Sequence, residues 1–267
     1  NIACITSIDL DHLDIYKSRQ ELQDSFNEFA RNLEKDGMLF KSFDLEIDGV
    51  SYGFNSNADY SISNYKTIND STFFDILYKN GKCENIRFNM PGKHNASNAL
   101  AAFAICKILK INDADLKRSL ATFKGVKRRF SFVLKFPKIL IDDYAHHPKE
   151  IQAIQDSVFS LYPKKIIMAI FQPHLFSRTR DFMDEFAKTL SVFHEIVLLD
   201  IYPAREEPIK DINSIKLLNK IKNNNKKLLH KIELENHIIN SDADVIVVMG
   251  AGDISNEVEK IKNAILI

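Results

Sequence analysis

The chain lacks three things at once: an excess charge, a cysteine framework and a long apolar run. Lys plus Arg and Asp plus Glu each number 36 in its 267 residues, so the formal charge is zero. No overall field draws it to nucleic acid or to an anionic membrane surface. Its three cysteines, Cys4, Cys83 and Cys106, form no C-x-x-C pair, which excludes a zinc ribbon and a disulfide scaffold and suits a reducing, cytoplasmic setting. The longest apolar runs, Ile166–Phe171 and Val245–Met249, have strand length and fall far short of the roughly 20 residues of a membrane span. No signal-peptide pattern opens the chain, and its first residue, Asn1, suggests a piece of something longer.

What is present reads as two units. In the first, a core strand at Asn1–Ile8 is followed by an amphipathic helix over Tyr16–Leu33, its apolar face formed by Leu22, Phe26, Phe29, Ala30 and Leu33. Short alternating runs from Gly37 to Asn89, punctuated by Asn55-Ser56-Asn57 and Asn80-Gly81, predict a small sheet with hairpins. Helices over Asn95–Lys110 and Asp113–Phe123, the latter opened by an Asp cap, complete the unit near Gly125.

From Lys138 strands alternate with helices: KILIDDY, a helix from Pro148, KIIMAIF, a helix across Thr179–Leu190, EIVLLD, a helix across Asn213–Asn223, then ADVIVVM and a closing helix. Asn223–Lys227 reads as a polar turn. This rhythm predicts an α/β, doubly wound parallel sheet, whose ligand lies beyond the carboxyl ends of its strands. Those ends carry Asp142 to Pro148, Gln172-Pro173-His174, Asp200-Ile201-Tyr202 and Gly250-Ala251-Gly252-Asp253.

Four constellations stand out, the first three each with a plainer alternative. His12 among Asp9, Asp11 and Asp14 suits a divalent cation shared with phosphate, or is a helix start capped by Asp14. Asn95 and Asn98, three apart at a helix start, offer donors and acceptors to a purine edge, or are a cap and a surface residue. Lys127-Arg128-Arg129-Phe130 is a phosphate clamp or a solvated basic linker. His146 and His147, with Asp142, Asp143 and Tyr144, neighbour His174, Arg178 and Arg180 in a titratable rim that fits carboxylate and phosphate recognition. That rim lacks the H-x-x-x-H spacing of a zinc site. Gly250-Ala251-Gly252 is no dinucleotide fingerprint, for it lacks the third glycine and follows the last strand. Neither Gly81-Lys82-Cys83 nor Gly92-Lys93-His94 completes a P-loop.

The blocks SIDLDHLDIY (Ser7–Tyr16), YGFNSNADYSI (Tyr52–Ile62), MPGKHNASNALAAFAI (Met90–Ile105), FKGVKRRF (Phe123–Phe130), IDDYAHHPKEI (Ile141–Ile151), FQPHLFSRTRDFMDEFAKTLS (Phe171–Ser191), DIYPAREEPI (Asp200–Ile209) and VVMGAGDI (Val247–Ile254) resemble the Mur ligase family, nearest its alanine-adding branch. The combination of DDYAHHP with FQPH and SRT is the specific part.

The resemblance implies residues 1–126 as the latter half of a central ATP-binding domain without its P-loop portion, and 127–267 as a Rossmann-like C-terminal ligase domain. It implies an ATP-dependent ligase of peptidoglycan biosynthesis. ATP would phosphorylate the lactyl carboxylate of UDP-N-acetylmuramate, and the amine of L-alanine would attack the acyl phosphate. By the same resemblance His12 helps bind Mg2+, Asn95 and Asn98 contact adenine, Arg129 steadies the phosphates and Asp143 meets the ribose hydroxyls on domain closure. Tyr144, His146, His174 and Arg178 line the muramyl and alanine side, with Arg129 and His146 nearest the chemistry. Leu175 stands where many members carry arginine, so the alanine carboxylate rests on Arg178. The missing N-terminal portion would leave this chain inert alone. Two other readings compete: a murein tripeptide recycling ligase, against which FQPH argues, and a nucleotide-closing module for a separate P-loop partner.

Overall fold

The computed structural model describes residues 1–9, 15–16, 18–79 and 81–266, and the chain divides into two compact units, Asn1–Lys124 and Gly125–Ile267.

In unit 1 the order is β1 (Ile2–Ile5), α1 (Arg19–Arg31), β2 (Met38–Ser42), β3 (Val50–Gly53), β4 (Tyr60–Ile68), β5 (Ser71–Tyr78), β6 (Gly81–Phe88), α2 (Lys93–Ile108) and α3 (Asp113–Thr122). The strands form one mixed sheet in chain order. Pairs β1–β2, β2–β3 and β3–β4 are parallel, while β4–β5 and β5–β6 are antiparallel. The expected hairpin sheet is thus only its far half, because the opening strand joins as a parallel neighbour. Helix α2 packs against β3 and β4 through the large side chains of Leu100 and Phe103, with Ala96 and Ala99 as the small residues that let the helix lie close to the sheet.

Two helix starts differ from the sequence reading. α1 begins after Ser18, whose hydroxyl accepts from Glu21 N at 3.1 Å, so it is shorter than Tyr16–Leu33; of its residues only Leu22 is buried and Phe29 stays exposed. α3 is capped by Asn112, not Asp113: Asn112 Oδ1 accepts from Asp115 N at 2.9 Å.

Unit 2 runs β7 (Ser131–Leu134), β8 (Ile139–Asp143), α4 (Pro148–Leu161), β9 (Ile167–Phe171), α5 (Phe176–Asp181), α6 (Met183–Leu190), β10 (Glu195–Leu198), α7 (Ser214–Lys220), β11 (Lys226–Leu228), α8 (Leu234–Ile239), β12 (Val245–Met249) and α9 (Val258–Leu266). The sheet order is β11-β10-β9-β12-β8-β7, parallel except for the β7–β8 edge pair. Strands β9 and β12 are buried at every position, as central strands covered on two faces must be. Ile141, Phe171 and Val247 face a cluster with α4, α6 and α7, while Leu140, Ile170 and Val248 face one with α8 and α9.

Three differences from the sequence reading occur here. β7 adds an antiparallel edge, and β11 turns part of the supposed polar turn at Asn223–Lys227 into a strand. The helix expected across Thr179–Leu190 is two helices, α5 and α6, broken at Phe182. β12 lies between β8 and β9, so the loops after these three strands share one crevice, the ligand-binding position of such sheets.

Candidate active site

The loop after β8 is held from below by Asp143. That residue is 3% exposed, its Oδ2 accepts from Phe130 N at 2.6 Å and its Oδ1 from Ala145 N at 2.7 Å. Burial pushes the carboxyl up to about 6, against the two N–H groups and the charge of Arg129. Beside it, Asp142 pairs with Arg128 Nε at 3.3 Å. Burial raises the Asp142 carboxyl despite that guanidinium. Arg128 also donates to Gly250 O at 2.5 Å and lies 5.1 Å from the Tyr144 ring centre, and its carbonyl accepts from Tyr144 N at 2.8 Å. It therefore binds the end of β8 to the turn after β12. The KRRF segment is no solvated linker at this residue.

Arg129 is half-exposed. Its guanidinium lies 5.8 Å from the Tyr144 ring, and Nη1 donates to Glu150 Oε1 at 3.2 Å. Glu150 is the third residue of α4 and closes a capping box with His147, the helix opening on Pro148. Its Oε2 accepts from His146 N at 2.9 Å and His147 N at 3.2 Å, and lies 3.2 Å from His146 Nδ1. Burial opposes ionisation of Glu150, yet His146, its backbone N–H and Arg129 together hold the carboxyl below its usual range.

The ring of His146 meets Tyr144 edge-on at 5.3 Å and His174 at 6.0 Å. His174 is fixed by the loop after β10: it stacks on Tyr202 at 5.7 Å and forms a parallel bridge with it, while Leu175 N donates to Tyr202 O at 2.9 Å. Arg178, one turn into α5 and buried, brings Nη1 to 3.2 Å from His174 Nδ1. Glu206 holds the start of α5 by accepting from Ser177 N at 3.0 Å. Tyr144, His146, His174 and Arg178 thus form one continuous row over the ends of β8 and β9.

Next to this row lies a cavity of about 400 Å³ whose walls include Gln172, Asp200, Tyr202, His230, Lys231 and Asp253. Gln172 donates to Asp253 Oδ1 at 2.8 Å and accepts from Ile254 N at 3.0 Å, joining the ends of β9 and β12. Burial raises the Asp253 carboxyl, but its contacts with Lys231 and Gln172 outweigh that and leave it low. Gly252 makes this closeness possible, since a Cβ there would sit 2.6 Å from Gln172 Oε1 and 2.7 Å from Tyr202 Cγ.

In unit 1, Asn95 is buried in the first turn of α2 and donates to Pro91 O at 2.7 Å, while Asn98 is exposed on the same helix. Neither is the cap, which is Gly92. His12 lies outside the described residues. Among the described residues no group of three His, Cys, Asp or Glu is arranged to hold a metal ion. Also among them, no helix is long and apolar enough to cross a membrane.

Sequence reasoning named Arg128 within the basic segment, and Gln172 and Tyr202 at the strand ends, without giving them separate roles, and it missed Glu150 although the capping spacing His147-Pro148-Lys149-Glu150 was there to be read. How Arg128, Gln172 and Tyr202 join the strand ends follows from strand order.

Residues 1–106 match the family model for the Mur ligase middle domain, and residues 128–252 that for the Mur ligase, glutamate ligase domain. A UDP-N-acetylmuramate--L-alanine ligase of Christiangramia forsetii is 50% identical over 267 residues, covering 100% of this chain and 59% of its own length. One from Flavobacterium psychrophilum is 49% identical, covering 98% and 59%. The crystal structure of UDP-N-acetylmuramate-alanine ligase from Thermotoga maritima superposes with a TM-score of 0.79 at 25% identity, over 98% of this chain and 59% of that one. The chain therefore spans about three fifths of the curated relatives it matches.

Proposed function

Because this chain belongs to the Mur ligase family, we propose that it is the part of an ATP-dependent ligase that joins L-alanine to UDP-N-acetylmuramate in peptidoglycan synthesis. The observation that carries the reading is the row Tyr144, His146, His174 and Arg178 at the carboxyl ends of β8 and β9. Residues 1–126 are taken as the latter half of the ATP-binding domain and 127–267 as the ligase domain, in a cytoplasmic enzyme.

ATP supplies the phosphoryl group that turns the lactyl carboxylate into an acyl phosphate, from which phosphate leaves when the alanine amine attacks. The chain's own residues bind and orient. Arg129, half-exposed on its ion pair with Glu150, is the cation for the phosphates. Arg178, buried against His174, takes the alanine carboxylate, as Leu175 has no charge to offer. Tyr144 and His174 wall the muramyl and alanine side, and His146 lies nearest the reacting groups. Asn98, exposed on α2, and Asn95 beside Pro91 are assigned to adenine. Asp143 is assigned to the ribose, while its burial and two backbone contacts make it the support of the loop.

The phosphate-binding loop of a nucleotide site is not among these 267 residues, and the chain alone is expected to be inert. In the enzyme carrying its N-terminal portion, phosphate release is expected only with ATP, L-alanine and UDP-N-acetylmuramate together. Release that ignores the omission of either acceptor rejects the assignment. Asn98→Ala in that enzyme should lower kcat/KM for ATP about tenfold, the cost of one or two hydrogen bonds; an unchanged value removes Asn98 from the adenine site.

A further inference from the structure

Glu150 makes more contacts than a helix cap needs. Capping is served by the N–H groups of His146 and His147 on Oε2. In addition, Oε2 lies 3.2 Å from His146 Nδ1 and Oε1 takes Arg129 Nη1 at 3.2 Å. The imidazole has a second acceptor at the same nitrogen, Tyr144 O at 3.0 Å. Two acceptors facing one ring nitrogen require a proton on it, so Nδ1 is the N–H and the exchangeable proton belongs to Nε2.

We propose that Glu150 is a positioning residue that holds His146 in its Nδ1–H form and keeps Arg129 beside it, so that one carboxylate sets the charge of the imidazole and the stance of the guanidinium. This rests on the reading that Arg129 meets phosphate and His146 meets the acyl acceptor side. Among the described residues, the groups around His146 include Glu150 from α4, Arg129 from the segment before β7, Tyr144 and the buried Asp143 at the end of β8, and His174 with Arg178 behind it from the loop after β9 and α5. Of these, Glu150 favours the imidazolium and Arg129 opposes it. An anion that draws Arg129 away therefore raises the affinity of His146 for a proton, which links phosphate occupancy to the charge of the neighbouring histidine.

The test is a pH titration of the 267-residue chain labelled with 15N in histidine, His146 being recognised by the signal lost in His146→Gln. In the wild type the neutral form is expected to show the proton on Nδ1. Glu150→Gln should lower the midpoint by about one unit and release the tautomer, because the anionic partner is gone. Arg129→Gln, at a half-exposed position outside the cap, should raise the midpoint with the helix intact. A residue that only capped α4 would leave His146 unmoved in these two variants. An unchanged midpoint and tautomer in Glu150→Gln overturns the proposal, and if that variant does not fold, an unchanged midpoint in Arg129→Gln does so. Inorganic tripolyphosphate separates the underlying reading: it should raise the wild-type midpoint and leave Arg129→Gln alone. Shifts in the variants without a response to tripolyphosphate uphold the positioning role and reject Arg129 as the phosphate cation.

Discussion

Two neighbouring aspartates at the end of β8 illustrate how burial decides the behaviour of single residues. Asp143 has its carboxyl raised from 3.8 to about 6 by burial, so the fold prefers its neutral form. Below about pH 3.8 the carboxyl is protonated in folded and unfolded chain alike and costs nothing; above about pH 6 it is charged in both, and the folded state bears the full penalty. A shift of about two units corresponds to about 3 kcal/mol, lost progressively as the pH rises through that window. Asp143→Asn cannot titrate, so the wild type should lose about 3 kcal/mol more than this variant between about pH 3 and about pH 7.5 in urea unfolding. Equal losses would show that the carboxyl is charged in the fold at no cost. Asp142 differs in having Arg128 within 3.3 Å, both side chains being largely buried. Arg128→Met leaves that carboxylate without its cation and is expected to cost about 3–5 kcal/mol. Adding Asp142→Asn should recover much of it, and additive losses in the double-variant cycle would mean that the two groups do not interact.

At the scale of elements, local pattern and strand order contributed separately. The central strands of unit 2 were legible because IMAIF and VIVVM are apolar throughout, and α4 because Pro148 and Glu150 mark its first turn. The break between α5 and α6 was not: apolar spacing runs on through Phe182, which leaves the helical backbone at φ −115° and ψ 23° and packs against His147, ring centres 4.7 Å apart. Nor did β7 and β11 announce themselves, since a four-residue and a three-residue edge strand have too few positions for a period. The site divides in the same way. Tyr144, His146, His174 and Arg178, which the fold brings into one row, stand in legible motifs, whereas the way Gln172 and Tyr202 meet depends on β12 returning between β8 and β9 and bringing Gly252 against them. That closeness is testable. Gly252→Ala places a methyl 2.7 Å from Tyr202 Cγ, and Tyr202 must yield. The expected cost is about 1–3 kcal/mol in a thermal or urea melt, with loss of the ring-current signature of the stacked Tyr202 and His174. An unperturbed melt and stack would show that the turn after β12 adapts without them.

On the scale of the whole chain, each hydrophobic cluster draws on one unit alone. Phe40, Ile76, Ile86, Leu100 and Phe103 belong to the cluster of unit 1; Ile141, Phe171 and Val247, and on the other sheet face Leu140, Ile170 and Val248, belong to unit 2. The kind of contact differs as well. Unit 2 surrounds a parallel sheet with helices on its two faces, while unit 1 packs α2 and α3 on a sheet whose far half is antiparallel. A chain with two cores of this size is not expected to unfold as a single two-state system. Leu100→Ala and Val247→Ala each empty a fully buried site and should cost about 2–5 kcal/mol, the range for large-to-small core changes. With calorimetry and site-specific hydrogen exchange, Leu100→Ala is expected to lower protection in α2 and β3 to β6 while β9 and β12 keep theirs, and Val247→Ala to do the reverse. Loss of protection in both units from either substitution would mean that the chain opens as one cooperative body, and that the two cores are joined in stability although they share no residue.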